Sequence, residues 1–312
     1  VADGTPIYYT VHEPSGAAPK YTVHEPSGAA PKRSPMTVAF CDGIGCDGYV
    51  WKYLRQQLEP GARIVHWHYR GHGRTRAPAD PERIAIADCA DDLDCVLDDA
   101  GVDQAVLMGH SMGVQVVLET YRRHGDRVAA MVLVCGAPEN PLRTFRGSDA
   151  LERLLPTIRK LVARTPALSR GMVRRLVPTR LAYKLATLLE INDVLIREED
   201  FQPYLRGMSR IDPALFLGML AEAGRHSAMD LLEQIAVPTL IVAGENDGFT
   251  PPELSETLHT RIPDAELCVV QDGSHTAPLE RPQIVNHAVI DFLRRRVSAN
   301  VDIGSKKPPQ SA

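Results

Sequence analysis

Beyond residue 35, short apolar runs rich in Val, Ile and Leu alternate with longer segments whose apolar positions recur every three or four residues. The runs predict strands at 36–41, 63–68, 104–108, 130–135, 239–243 and 266–270, and the periodic segments predict helices at 51–58, 84–100, 112–123 and 282–296. Strands that are apolar throughout, separated by amphipathic helices, are what a parallel sheet buried on both faces requires. The expected fold class is therefore α/β, a mostly parallel central sheet with helices on both faces.

The alternation stops from 140 to 234, where only helical patterns occur, at 151–162, 171–189 and 213–223. An inserted helical subdomain is expected there, between an N-terminal core part at 1–139 and a C-terminal core part at 235–297. The tail 298–312, with Gly304, Lys306, Lys307, Pro308 and Pro309, offers nothing to pack and is expected to be disordered. Near the start, the twelve residues 9–20 are repeated identically at 21–32. Two short copies cannot stack into a solenoid, so the reading is a local duplication in which either copy can fill the same edge strand.

Composition narrows the function. The chain has 312 residues, 44% of them hydrophobic, and 35 Lys plus Arg against 39 Asp plus Glu, a net charge of −4. That balance argues against a nucleic-acid partner. No apolar run approaches the roughly 18 residues of a membrane span. The opening Val1-Ala2-Asp3-Gly4-Thr5 has neither an initiating Met nor a signal pattern, which fits a trimmed chain or a piece of a longer one and leaves secretion open. Six scattered cysteines with no paired CxxC spacing point to reduced thiols, a cytoplasmic setting and no metal site. Charge is uneven: residues 141–185 hold 11 basic side chains and 2 acidic ones, read either as a solvated helix face or as an attractor of anionic substrate, membrane or acidic partner.

The chemistry concentrates at Gly109-His110-Ser111-Met112-Gly113, a G-x-S-x-G between a predicted strand and a predicted helix. A turn that sharp leaves no room for side chains two residues either side of Ser111, and it presents the hydroxyl at the strand end with the Met112 N–H free for a developing oxyanion. A serine needs a base and a group to orient it. His275 follows the strand at 266–270, and Asp247 follows the strand at 239–243; Glu245 is the fallback acid, and Asp272 lies too near His275 in the chain. His110 and His72 are read as packing or loop groups.

These residues, in the order Ser111, Asp247, His275, resemble the α/β-hydrolase fold family from about Asp3 to Arg296, specifically its capped serine esterase and haloperoxidase-like branch. Tyr69-Arg70-Gly71-His72-Gly73-Arg74, and Gly273-Ser274-His275 with Leu279-Glu280-Arg281-Pro282, carry the same resemblance. It implies that the insertion is a helical cap over Ser111 and that Ile44 supplies a second oxyanion amide beside Met112. Two departures stand out: Asp42 where the family usually has His, and Val114 where a third Gly is common.

Serine at the elbow, where haloalkane dehalogenases and most epoxide hydrolases carry Asp, suits attack on a carbonyl carbon. The expectation is a serine hydrolase cleaving carboxylic esters, thioesters or lactones of small to medium acyl substrates, with no metal or organic cofactor. The alternatives are C–C bond hydrolysis, acyl transfer or perhydrolase chemistry on the same triad, and a receptor-like binding protein with little turnover. Trp51, Phe216, Met219 and Phe249 are candidate pocket residues. Substrate identity and oligomeric state are not legible at this level.

Overall fold

The structure, a computed structural model, describes residues 1, 3–15, 35–189 and 194–297, and the side chains of all of these except 185–189. Strands β1 (Tyr9–His12), β2 (Thr37–Cys41), β3 (Arg63–Trp67), β4 (Ala105–His110), β5 (Val128–Val134), β6 (Thr239–Gly244) and β7 (Ala265–Val270) form one sheet in the order β1-β3-β2-β4-β5-β6-β7. Every pairing is parallel except that of β1 with β3. Alternate residues of a strand face opposite sides. Accordingly Ala105 and Leu107 of β4 join one core and Val106 and Met108 the other.

Helices α1 (Lys52–Leu58), α2 (Ile86–Asp99) and α3 (Met112–His124) follow β2, β3 and β4. Leu54 and Leu58 of α1 pack in the core with Val106, whereas Leu93 of α2 and Val117 of α3 pack in the core with Leu107. The sheet is thereby covered on both faces. Between β5 and β6 the described chain is helical: α4 (Ala150–Arg164), α5 (Pro166–Leu176), α6 (Arg180–Leu189), α7 (Glu198–Met208) and α8 (Pro213–Arg225), with short 3-10 turns. Leu155 of α4 and Met219 of α8 enter the sheet's own core, whereas Phe201 and Leu205 of α7 gather with Ile196 and Leu279 in a small separate cluster. After β6 come α9 (Pro252–Arg261), α10 (Ala277–Glu280) and α11 (Pro282–Phe292).

Several boundaries differ from the sequence reading. The expected helix at 171–189 is two helices, because Pro178 has no N–H with which to continue α5. The helices α7 and α9 had no counterpart in the periodicity. β4 runs two residues further than expected, through Gly109 to His110. β1 is built from the first copy of the duplication; the second copy and the tail at 298–312 lie outside the described residues.

Register positions the site. Cys41 of β2 is level with Gly109 of β4, His110 with Val134 of β5, and Val134 with Val242 of β6. The loops that leave β2, β4, β6 and β7 therefore emerge together at the carboxyl edge of the sheet, where ligands of open α/β sheets bind. No helix among the described residues is long and apolar enough to cross a membrane.

Candidate active site

Ser111 joins β4 to α3 with φ 57° and ψ −120°, a strained conformation for a residue with a side chain. The two elbow glycines are required by space: a Cβ on Gly113 would stand 2.1 Å from the Cys41 carbonyl oxygen, and one on Gly109 would stand 2.4 Å from that of Gly113. Val114 packs against the chain at Gly136, where a Cβ would meet its Cγ2 at 2.3 Å. Thus the side chain that replaces the common third glycine fits because Gly136 has none.

The His275 Nε2 lies 2.9 Å from the Ser111 Oγ, and its Nδ1 lies 2.9 and 3.1 Å from the two carboxylate oxygens of Asp247. In the tautomer this network selects, Nδ1–H donates to Asp247 and Nε2 accepts from the serine hydroxyl. Asp247 is buried and also accepts from the amides of Phe249 and Thr250 at 2.9 and 2.8 Å and from the Thr250 hydroxyl at 2.7 Å. Its carboxylate is fixed by three donors besides the imidazole. The other two acids face elsewhere: Glu245 accepts from the Asp272 amide, and Asp272 pairs with Arg281.

Two groups hold the His275 loop. Buried Glu280 accepts from the Ser274 amide at 2.7 Å and from the hydroxyls of Ser274 and Thr276 at 2.5 and 2.8 Å. On the other side, Nε2–H of His110 donates to the His275 carbonyl at 2.9 Å. Burial, with the neighbouring His275 adding to it, lowers the His110 pKa to about 4. Neither Glu280 nor Thr250 was assigned a role from sequence. Each lies within five residues of a candidate triad member, so short spacing was the available signal.

The loop after β2 is anchored just as fully. Asp42 accepts from the Trp51 indole N–H at 2.8 Å and lies 2.9 Å from the Nε2 of His66, while its carbonyl accepts from the Tyr69 hydroxyl at 2.8 Å. The residue that departs from the family pattern is a structural node. His72, buried and with its pKa lowered by desolvation, accepts from the Gly45 amide at Nε2 and donates from Nδ1 to the Arg70 carbonyl, both at 3.0 Å. Between these anchors the Ile44 amide, like that of Met112, finds no acceptor among the described residues. Ile44, Ser111 and Met112 share the wall of a small recess beside the hydroxyl.

In front of Ser111 and His275 opens a cavity of about 400 Å3. Its wall carries the aromatic side chains Tyr49, Phe145, Phe201, Tyr204, Phe216 and Phe249 and, among the described residues, no Asp, Glu, Lys or Arg. Of the four candidate pocket residues, Phe216 and Phe249 stand on this wall and Trp51 and Met219 do not. Trp51 is 1% exposed, stacks on Phe40 at 4.8 Å and is tied to Asp42, and Met219, also 1% exposed, faces the core with Leu220 and Ala223. Phe201 and Tyr204 were missed because they belong to α7.

The sequence profile of the α/β hydrolase fold matches residues 37–282. The chain is 27% identical over 258 residues, 82% of its own length and 90% of the relative's, to a putative carbamate hydrolase RutD of Caulobacter sp. strain K31. It also superposes on a thermophilic esterase from Thermogutta terrifontis with a TM-score of 0.67 at 22% identity, covering 93% of both chains. A bromoperoxidase from Bacillus anthracis gives 0.70 at 20% identity, over 92% of this chain and 95% of that one. With the profile spanning most of the chain and the sheet order above beneath it, the protein belongs to the α/β-hydrolase fold family and is an enzyme of the hydrolase superfamily.

Proposed function

We propose that the protein is a serine hydrolase of uncharged, apolar carboxylic esters, including thioesters and lactones. The observation that carries this reading is the continuous hydrogen-bonded line from Asp247 through His275 to Ser111, ending at an aromatic cavity with two unpartnered amides beside it. Nε2 of His275 takes the hydroxyl proton as Ser111 Oγ attacks the carbonyl carbon, and Asp247 stabilises the imidazolium that forms. The amides of Ile44 and Met112 receive the oxyanion, with the N-terminal dipole of α3 adding to the second. His275 then hands its proton to the leaving alcohol, and a water activated by the same nitrogen cleaves the acyl-enzyme.

The helical segment from α4 to α8 acts as the cap in this reading, because Leu151, Val177, Phe201 and Phe216 contribute to the cavity wall. The described residues of the wall give a small anionic carbamate no Lys or Arg as counter-ion, so the apolar ester is favoured over the substrate in the relative's name. The cysteines are free thiols, four of them buried, which fits the cytoplasmic setting.

The test is a series of p-nitrophenyl esters from acetate to decanoate, with Ser111→Ala as the blank. Turnover should rise from acetate to the medium-length acyl chains and fall by about six orders of magnitude in the variant. Peroxide-dependent halogenation exceeding ester turnover, or undiminished turnover in Ser111→Ala, would sink the proposal.

A further inference from the structure

The large hydrophobic side chains that remain exposed are concentrated in one region. Of ten among the described residues, seven stand on α4, α5 and α6: Leu154, Ile158 and Leu161; Leu168, Met172 and Leu176; and Leu181. Within α4 and within α5 the three follow one another at intervals of three or four residues, so each helix turns a continuous apolar stripe outward. These are not faces awaiting the sheet. α4 buries only Leu155, and α5 buries no residue at all.

The same helices carry the basic excess of 141–185. Lys160, Arg164, Arg174 and Arg175 are exposed and make no ion pair among the described residues, whereas Arg153 and Arg170 are paired with Asp149 and Asp212. Outward apolar stripes on helices that also carry unpaired cations have the physical form of an interfacial helix, with apolar side chains below the headgroup plane and cations among anionic phosphates.

We propose that α4 and α5 form a docking surface for an anionic phospholipid bilayer, on which the protein lies without crossing it. Charge chooses the occupant. A second copy seated on this face would bring like cations together, while an anionic lipid surface neutralises them and accepts the leucines as well. A folded acidic partner would have to present an apolar ridge between its own carboxylates to satisfy both features. Leu151 and Val177, which flank the two stripes in sequence, line the cavity, so the docked face borders the pocket wall and an apolar ester dissolved in the bilayer lies next to it. Only this last consequence rests on the proposed function; docking itself does not.

Co-sedimentation of the full chain with vesicles of phosphatidylcholine alone, or of phosphatidylcholine with phosphatidylglycerol, tests it directly. Partitioning onto the anionic vesicles should be at least about tenfold stronger and should fall at high salt. Reversing the charge of Lys160, Arg164, Arg174 and Arg175 together should lower it by about 100-fold or more. The apolar set Leu161→Glu, Leu168→Glu and Met172→Glu should lower it too. None of these residues lines the cavity, so turnover of a water-soluble ester and the melting temperature should stay near the parent values in both variants. Melting serves alone if the chain proves to have no esterase activity. Equal partitioning onto both vesicle types, or binding unaltered by the charge reversal, would overturn the proposal. So would concentration-dependent dimerisation, or retention on polyglutamate, without vesicle binding.

Discussion

At the scale of single residues, the candidate site turns on which carboxylate faces the imidazole. Asp247, Glu245 and Asp272 all lie in loops leaving β6 or β7, and chain spacing alone ranks Asp247 first without deciding the matter. In the structure Asp247 meets Nδ1 of His275 while three local donors hold it, and Glu245 and Asp272 are occupied elsewhere. Asp247→Asn should therefore lower kcat for ester hydrolysis by about two orders of magnitude or more, with less loss than Ser111→Ala or His275→Ala, because an orienting group is partly replaceable. Glu245→Gln should leave kcat within about twofold. Full activity in Asp247→Asn would move the role to another acid. Glu280 acts through Ser274 and Thr276 and does not approach the hydroxyl itself. Glu280→Gln, which loses acceptor capacity, should lower kcat about tenfold while leaving KM nearly unchanged, a split that steady-state kinetics reads directly.

At the scale of elements, the elbow is where sequence and structure agree most closely. The G-x-S-x-G pattern between strand and helix was legible because it is carried by five consecutive residues, and within them the Gly113 carbonyl already excludes a side chain at Gly109. Space behind Gly113 is the sharper constraint, since its missing Cβ faces backbone of β2 and has no flexible side chain to displace. Gly113→Ala should destabilise the fold by about 3 kcal/mol and shift β2 against β4, seen as a lower urea midpoint together with lost labelling of Ser111 by an organophosphonate. An unchanged midpoint would show that the carbonyl of Cys41 can move aside. Elements whose apolar residues serve a cavity read less clearly. In α7, Phe201, Tyr204 and Leu205 face the cavity while only part of the helix meets the core, so its periodicity resembles neither a core helix nor a solvated one. α9 is hidden for a different reason, since only Ser255 and Leu258 of it are buried, and the expected helix at 171–189 divides because Pro178 lacks the N–H that would continue it.

At the scale of the whole molecule, folding keeps several imidazoles neutral. Burial lowers His110 and His68 to about 4 from an ordinary 6.5, and it lowers His72 as well. Each must present an unprotonated nitrogen or stay dry: His72 accepts from Gly45 and His68 accepts from the Arg74 amide at 2.8 Å. Because the unfolded chain then binds protons that the folded chain refuses, the stability these groups confer is complete above about pH 6.5 and declines as pH falls toward 4. For His110 the loss is at most about 3 kcal/mol. Urea midpoints should fall steadily from pH 6.5 to 4, and His110→Gln should flatten that slope without altering the plateau at pH 7 to 8. An identical slope in the variant would assign the acid sensitivity to His68, His72 and the carboxylates. The basic face of α4 and α5 lies at this scale too, since its asymmetry is invisible in a net charge of −4.

The sequence by itself determined what short-range sterics and burial periodicity dictate: a mostly parallel sheet covered on both faces, the strand–Ser111–helix elbow with its two glycines, and the chain order of Ser111, Asp247 and His275. Only the tertiary structure decided what depends on register and on which side of a helix finds a partner. Level strand ends bring four loops to one edge; Asp42 and His72 become anchors of the Ile44 loop; Trp51 turns into the core while Tyr204 turns toward the cavity. The reason is that an apolar side chain carries the same signal whether it fills a core, lines a pocket or faces outward. Only its neighbours, remote in the chain, distinguish the three.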